Sequence, residues 1–315
     1  MSMKIIIDCD TGVDDSLAIL YALRQPKFEI LGITTGCGNT NAFQAAENSL
    51  RLLKLAGREG EIPVSIGENA PLNGVWDGPV PHIHGQNGIG NVELPPTQQK
   101  PVEERACDFI VRLARENPGE ITLVTLGRMT NVALALQREP ELPKLVRGIV
   151  AMGGTYHAPG NISPVAEANI GGDPEAADQV FAAGFELTIV GLDVTTKIHL
   201  TAQHFADLKK FRAPENEGIA DYLFQAFTFY LNFYRGCDGQ LNYCPMHDPL
   251  AMLIAADPRV ATIRRLPARV ECGGTYCRGM IVTDDRRQPM DAPYANICVD
   301  VNEDWAINRV LGVFC

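Results

Sequence analysis

An α/β fold, an open and mostly parallel sheet covered by helices on both faces, is predicted by three features of this 315-residue chain. Short, continuously apolar runs alternate with helical patterns through most of its length. Such runs suit strands buried on both sides, which parallel sheets require. The polar clusters also tend to follow strands, where open α/β sheets place their ligands.

The elements come in order. Lys4 to Cys9 (KIIIDC) reads as a buried strand and Asp14 to Arg24 (DDSLAILYALR) as the helix behind it. Glu29 to Thr35 is a second strand, and Asn41 to Leu55 a second helix. The alternation resumes with the strand Glu120 to Thr125, a helix around Asn131 to Gln137 and the strand Gly148 to Met152. The helix Pro174 to Ala183 and the strand Glu186 to Val190 follow. The strands have strand length, the helices are bounded by polar residues, and the pattern repeats as βα units. Residues 67 to 100 break it, being dominated by Gly, Pro, His and Asn without a period. A long irregular segment in a compact domain is characteristically a functional loop. No linker or internal repeat divides the chain, so residues 1–315 are expected to form one domain.

Composition narrows the function. The chain is 46% hydrophobic and 21% charged, an ordinary globular mixture. No run of 18 apolar residues offers a membrane span, and Lys4 leads straight into a strand instead of a secretory apolar core. A cytoplasmic protein is expected. The formal net charge of −11 and pI of about 5.0 disfavour nucleic-acid binding. No Lys/Arg cluster awaits a substrate bearing several phosphates, so a neutral substrate, or one held through a cation, suits the balance. Nine cysteines lack metal-ligand spacing and are expected to be free thiols.

The segment DCDTGVDD carries Asp8, Asp10, Asp14 and Asp15 without a basic residue among them. Asp10 stands at the end of the first strand, Gly12 permits the turn, and Asp14 and Asp15 open the helix. The roughly half charge at a helix N-terminus cannot neutralise so many carboxylates. Crowded carboxylates raise one another's pKa unless a cation intervenes. Oxygen ligands favour a hard ion, calcium or magnesium. The plainer alternative makes Asp14 and Asp15 helix-capping acids.

Further segments complete an ordered set: TTGCGN (Thr34 to Asn39), IHGQNGIG (Ile83 to Gly90), TLGRMTNVALAL (Thr125 to Leu136), MGG (Met152 to Gly154), NISPVAEANI (Asn161 to Ile170) and MHDPLA (Met246 to Ala251). Together with DCDTGVDD they span about 240 residues, and the chain resembles the inosine–uridine-preferring nucleoside hydrolases. The resemblance implies a mixed, Rossmann-like sheet and calcium-dependent hydrolysis of ribonucleosides to ribose and free base, purine or pyrimidine. It implies Asp10, Asp15, Asp248 and the carbonyl of Leu126 as calcium ligands, with Asp14 as general base. Asn39, Asn161, Glu167 and Asn169 would hold the ribose hydroxyls, Met152 would lie against the sugar, and Asp8 would support the cluster. His247 and His84 match pocket histidines, one of which would protonate the departing base; His82 has no matching position. Tyr230, Asn232 and Tyr234, in the aromatic run Phe227 to Tyr234, lie where the family sets base preference, although such stripes more often belong to the core. Homodimers or homotetramers and a role in nucleoside salvage are also implied. Two positions depart from the pattern: Leu126 where some members have Thr, and Arg128 where Pro or Gly is common.

Two other readings stay open on the residues alone. Asp8, Asp10 and Thr11 superficially resemble the opening motif of magnesium-dependent haloacid-dehalogenase-like phosphatases, with Asp284 and Asp285 imitating a distal acidic pair. A nucleoside-binding protein without turnover is the third.

Overall fold

The computed structural model describes residues 2–238 and 242–315, with the side chains of Cys237 and Asp238 left aside. Among the described residues there are eleven strands: β1 (Met3–Cys9), β2 (Phe28–Thr35), β3 (Val64–Ile66), β4 (Ile121–Thr125), β5 (Gly148–Met152), β6 (Leu187–Val190), β7 (His199–Thr201), β8 (Tyr243–Pro245), β9 (Ala261–Val270), β10 (Ile281–Thr283) and β11 (Tyr294–Val301). Nine of them form one sheet in the order β10-β9-β11-β6-β5-β4-β1-β2-β3, and β7 and β8 pair separately. From β3 to β11 the neighbours run parallel; β9 is antiparallel to both β11 and β10. The expected mostly parallel, mixed sheet is therefore present.

Strand β1 shows why its sequence is apolar throughout. Ile5 and Ile7 join an apolar cluster containing the helices Val13–Arg24 and Asp248–Ala256, whereas Ile6 enters the opposite cluster with the helices Ala106–Glu116 and Thr130–Arg138. Side chains alternate across a strand, so both faces must be apolar when helices cover both. Fully burying one such isoleucine is worth roughly 1.5–3 kcal/mol.

Each predicted strand and helix is found, with ends shifted by a residue or two. Several elements were not anticipated: β3, β7 to β11, and the helices Ala106–Glu116, Ala202–Phe211, Asp248–Ala256 and Glu303–Leu311, while the helical run around Phe227 to Tyr234 belongs to the longer helix Glu217–Asp238. The irregular region 67 to 100 contains one helical turn, Pro81–His84. Among the described residues no cysteine forms a disulfide, as expected, and no helix is long and apolar enough to cross a membrane. Sheet order reverses beside β1, which lies between β4 and β2, so the crevice at this switch point opens at the carboxyl ends of the parallel strands. The loops after β1, β2, β4, β5 and β6 all meet that edge.

Candidate active site

At the switch point, Leu126 N–H donates to the Asp8 carbonyl at 2.7 Å, tying the end of β4 to the end of β1. Asp8 is buried, and its Oδ1 accepts from Thr34 Oγ1 at 2.6 Å and Asn131 Nδ2 at 2.8 Å. Asp10 follows β1. Its Oδ2 accepts the Asn39 backbone N–H at 2.7 Å and its Oδ1 the Asn39 side-chain amide at 3.1 Å. The same amide reaches Asp15 Oδ2 at 3.0 Å, so Asn39 braces two acids at once. A Cβ on Gly38 would lie 1.7 Å from Asp10 Oδ2, which explains why no larger residue fits there.

Asp14 and Asp15 open the helix Val13–Arg24, and Asp248 opens the helix packed against it, Asp248–Ala256. Both positive helix ends therefore face the acids. Asp14, Asp15 and Asp248 each present a carboxylate oxygen within 4.8 Å of the others. At that separation two unit charges repel by roughly 3–4 kcal/mol with an effective dielectric of 20. Asp15 does cap its helix, accepting the Gly12 N–H at 2.7 Å, but capping uses only Oδ2. Oδ1 of Asp15 and Oδ1 of Asp14 are buried without any donor. Gly12 has φ −90°, an ordinary value, so turn geometry does not require glycine. Space does: a Cβ would lie 2.5 Å from His84 Nδ1.

Burial pushes every acid of the cluster upward. Asp8 and Asp10 rise to about 6, the hydrogen bonds from Thr34 and Asn39 respectively opposing the effect. Asp15 and Asp248 rise strongly, through burial first and the charges of neighbouring acids next, and Asp14 rises through burial, opposed by the charge of His247. The donor set is all oxygen, buried, anionic and partly unsatisfied, and it fits a hard divalent cation.

A pH dependence follows. Asp8 and Asp10 at about 6 and Glu167 at about 7 lie above ordinary carboxyl values. Their contribution to stability is complete below pH 4 and is lost as pH rises through 6 to 7, at up to roughly 3 kcal/mol per group. Chelator-treated protein is expected to melt at least about 5 °C lower at pH 8 than at pH 5, and a divalent cation should restore most of the difference. A melting temperature independent of pH in thermal scans would contradict this.

The second shelf of the site comes from β5 and the loop beyond it. Glu167 is buried; its Oε2 accepts the Gly154 N–H at 2.7 Å and its Oε1 the Asn169 N–H at 2.8 Å, capping the short helix Ala168–Gly172. Asn169 Nδ2 donates to the Leu126 carbonyl at 2.8 Å and the Met152 carbonyl at 3.1 Å. Its amide donors thus brace the backbone and leave Oδ1 for a ligand. The Leu126 carbonyl keeps a second lone pair. Met152 is buried beside Asn169. Asn161 is exposed, its Oδ1 accepting the Ala168 N–H at 2.9 Å, and it forms the rim.

On the Asp14 side stands an aromatic group. Tyr230 donates to Asp14 Oδ2 at 3.3 Å, the Tyr230 and Tyr234 hydroxyls are 3.3 Å apart, and Tyr234 lies 3.5 Å from His247 Nε2. His247 Nδ1 meets Thr195 Oγ1 at 2.8 Å. The aromatic run is both core and wall: Phe227 stacks on Phe205, while Tyr230 sends its hydroxyl to the acids. Asn232 is exposed. His84 Nδ1 accepts the Val13 N–H at 3.1 Å, and burial lowers its pKa to about 3. His84 is neutral, with only Nε2 free to face a ligand. His82 is exposed. Thr34, Asn131 and Thr195 had no signal beyond their polarity, since their roles depend on which strands become neighbours.

The phosphatase alternative finds no support. Asp284 is held by Arg286 at 2.8 and 2.7 Å and by the Met290 N–H at 2.7 Å, and Asp285 faces Arg264 at 3.2 Å. Asp8 is enclosed by its own hydrogen bonds and offers no accessible nucleophile.

Comparison with known proteins agrees. Residues 5–308 match the family model described as inosine-uridine preferring nucleoside hydrolase. A probable uridine nucleosidase 1 of Oryza sativa subsp. japonica is 39% identical over 281 residues, covering 89% of this chain and 85% of that protein. An inosine-uridine preferring nucleoside hydrolase of Leishmania major is 39% identical over 289 residues, covering 91% and 89%. The structure of a purine-preferring ribonucleoside hydrolase from Gardnerella vaginalis is similar with a TM-score of 0.91 at 34% identity, covering 98% of each chain. Motif, crevice and whole-chain similarity meet in one conclusion: this chain belongs to the inosine-uridine preferring nucleoside hydrolase family, whose members are N-ribohydrolases.

Proposed function

We propose that this enzyme hydrolyses the N-glycosidic bond of ribonucleosides in a calcium-dependent reaction, with Asp10, Asp15, Asp248 and the Leu126 carbonyl holding the ion. The observation that carries the reading is the convergence of acids more than 200 residues apart on one buried, all-oxygen cluster with unsatisfied oxygens. When bound, the ion orients a water and the 2′- and 3′-hydroxyls and lowers the water's pKa.

The chain's own groups account for the remaining chemistry. Asp14 Oδ1, free of donors, takes a proton from the attacking water. Water oxygen bonds to C1′ as the C1′–N bond breaks, and its electron pair leaves with the base. Buried carboxylates stabilise the cationic sugar ring of the transition state. His247, backed by Tyr234 and Tyr230, supplies the proton to the leaving nitrogen. Asn39, Asn161, Glu167 and Asn169 hold the sugar hydroxyls, Met152 lies against the ring and His84 contacts the base through Nε2. The free thiols suit a cytoplasmic place in nucleoside salvage. Residues 1–315 are read as one domain that assembles as a homodimer or homotetramer.

Release of reducing sugar from inosine or uridine in the presence of calcium tests the activity; its absence with all four common ribonucleosides would overturn the proposal. The 2′-deoxynucleosides should be poorer substrates by at least about 100-fold, because a missing hydroxyl leaves buried polar groups unpaired. Tyr234→Phe is expected to lower inosine kcat by roughly tenfold, and uridine kcat less, since it breaks the hydroxyl route to His247. Equal losses on both substrates would assign Tyr234 to packing alone.

A further inference from the structure

The single helical turn after β6, Leu192–Thr195, ends at a fully buried threonine that touches His247 twice over. Thr195 Oγ1 lies 2.8 Å from His247 Nδ1, and the Thr195 carbonyl accepts the N–H of Met246, the residue before His247, at 3.3 Å. The turn is itself firmly held. Gly191 lies so close to the end of β5 that a Cβ there would be 2.7 Å from the Gly154 carbonyl oxygen, which also accepts the Leu192 N–H at 2.9 Å. On its other side Asp193 accepts the N–H groups of Tyr156, His157 and Ala158 at 2.6, 2.7 and 2.8 Å.

What such an anchor does for an imidazole follows from the shape of the ring. A half-turn about Cβ–Cγ exchanges nitrogens for carbons with little change in outline, so packing alone does not choose between the two settings. Hydrogen bonds choose. His247 has Thr195 at 2.8 Å on Nδ1 and the Tyr234 hydroxyl at 3.5 Å on Nε2. The threonine contact is much the shorter and is the firmer hold. With Nδ1 fixed there, Nε2 faces the phenols that gather beside Asp14.

Resting on the reading of His247 as the leaving-group acid, we propose that Thr195 is a positioning residue that keeps Nε2 turned toward the base and thereby governs the departure of bases that must leave protonated. Valine at this position would keep the shape and leave Nδ1 buried against a methyl. Turning the ring away relieves that unmade contact, at the expense of the productive setting.

The test compares kcat on inosine and uridine with kcat on p-nitrophenyl β-D-ribofuranoside, whose nitrophenolate departs without a proton. It is run in the wild type, Thr195→Val, Thr195→Ser and His247→Gln. All substrates meet the same preparation, so the ratio of rates does not depend on the fraction folded. For the faster nucleoside, Thr195→Val should lower the nucleoside-to-nitrophenyl ratio at least about tenfold. Thr195→Ser, which restores the hydroxyl, should keep it within about threefold. A ratio lowered by His247→Gln but unchanged in Thr195→Val overturns the proposal and leaves the histidine as the acid. A Thr195→Ser as impaired as Thr195→Val also overturns it, assigning the threonine to packing. A ratio unchanged in His247→Gln sinks the acid reading instead, and this one with it.

Discussion

Replacing Asp14 by Asn should lower kcat by about 10³-fold while divalent-ion binding persists. A positioned general base contributes about 10² to 10⁴ in rate, and Asp14 Oδ1 is buried with no donor to occupy it. Tyr230 holds the other oxygen at 3.3 Å, so the carboxylate is oriented with one face open. An amide preserves that shape and cannot accept a proton at neutral pH. Calorimetric ion titration beside steady-state kinetics separates the roles. If Asp14→Asn loses ion affinity as completely as activity, Asp14 is a ligand and the base is another group. That outcome has a structural basis, because Asp14, like Asp15 and Asp248, presents a carboxylate oxygen within 4.8 Å of the other two.

Asp10→Ala should abolish both ion binding and turnover, with affinity falling at least about 100-fold, more than removal of an outer partner of a metal ligand. Its two oxygens are held by Asn39, which also steadies Asp15, so the substitution disturbs two acids. Equilibrium dialysis against calcium, read with a thermal scan of the ion-free protein, distinguishes ligand loss from unfolding. Normal turnover in Asp10→Ala would show that the cation, if present, sits elsewhere.

The parallel half of the sheet was legible because each of its strands is buried on both faces and must be apolar along its whole length. The edge beyond β11 was not. In β9, Thr262 to Arg265 are exposed and Pro267 interrupts the run, so neither alternation nor a continuous apolar stretch marks it. The helix Ala106–Glu116 does carry a visible stripe, burying Phe109, Ile110 and Leu113 with Cys107 and Ala114. Within the site, DCDTGVDD announced its acids by local crowding alone. Asp248 did not, since an Asp before Pro at a helix start is ordinary capping; only resemblance joined it to the others. The braces are the least readable part. Asn131 reaches Asp8 because Asp8 is paired in register with Thr125 on β4, whose loop leads into Asn131's helix. That adjacency is a property of strand order, absent from any local window. Gly12 shows a different limit, because its need for space comes from His84, 72 positions later in the chain.

The acids at the start of the chain meet Asp248 only after the intervening strands have found their places. During synthesis, the ribosome therefore exposes Asp10, Asp14 and Asp15 long before their partner emerges, and the nascent chain carries bare like charges with no completed ion cage. On the proposed assignment, capture of the cation is a late event, and its free energy would reward only molecules whose last quarter has docked. A chain halted before residue 248 would lack that ligand, and the ion would then act as a seal on finished copies.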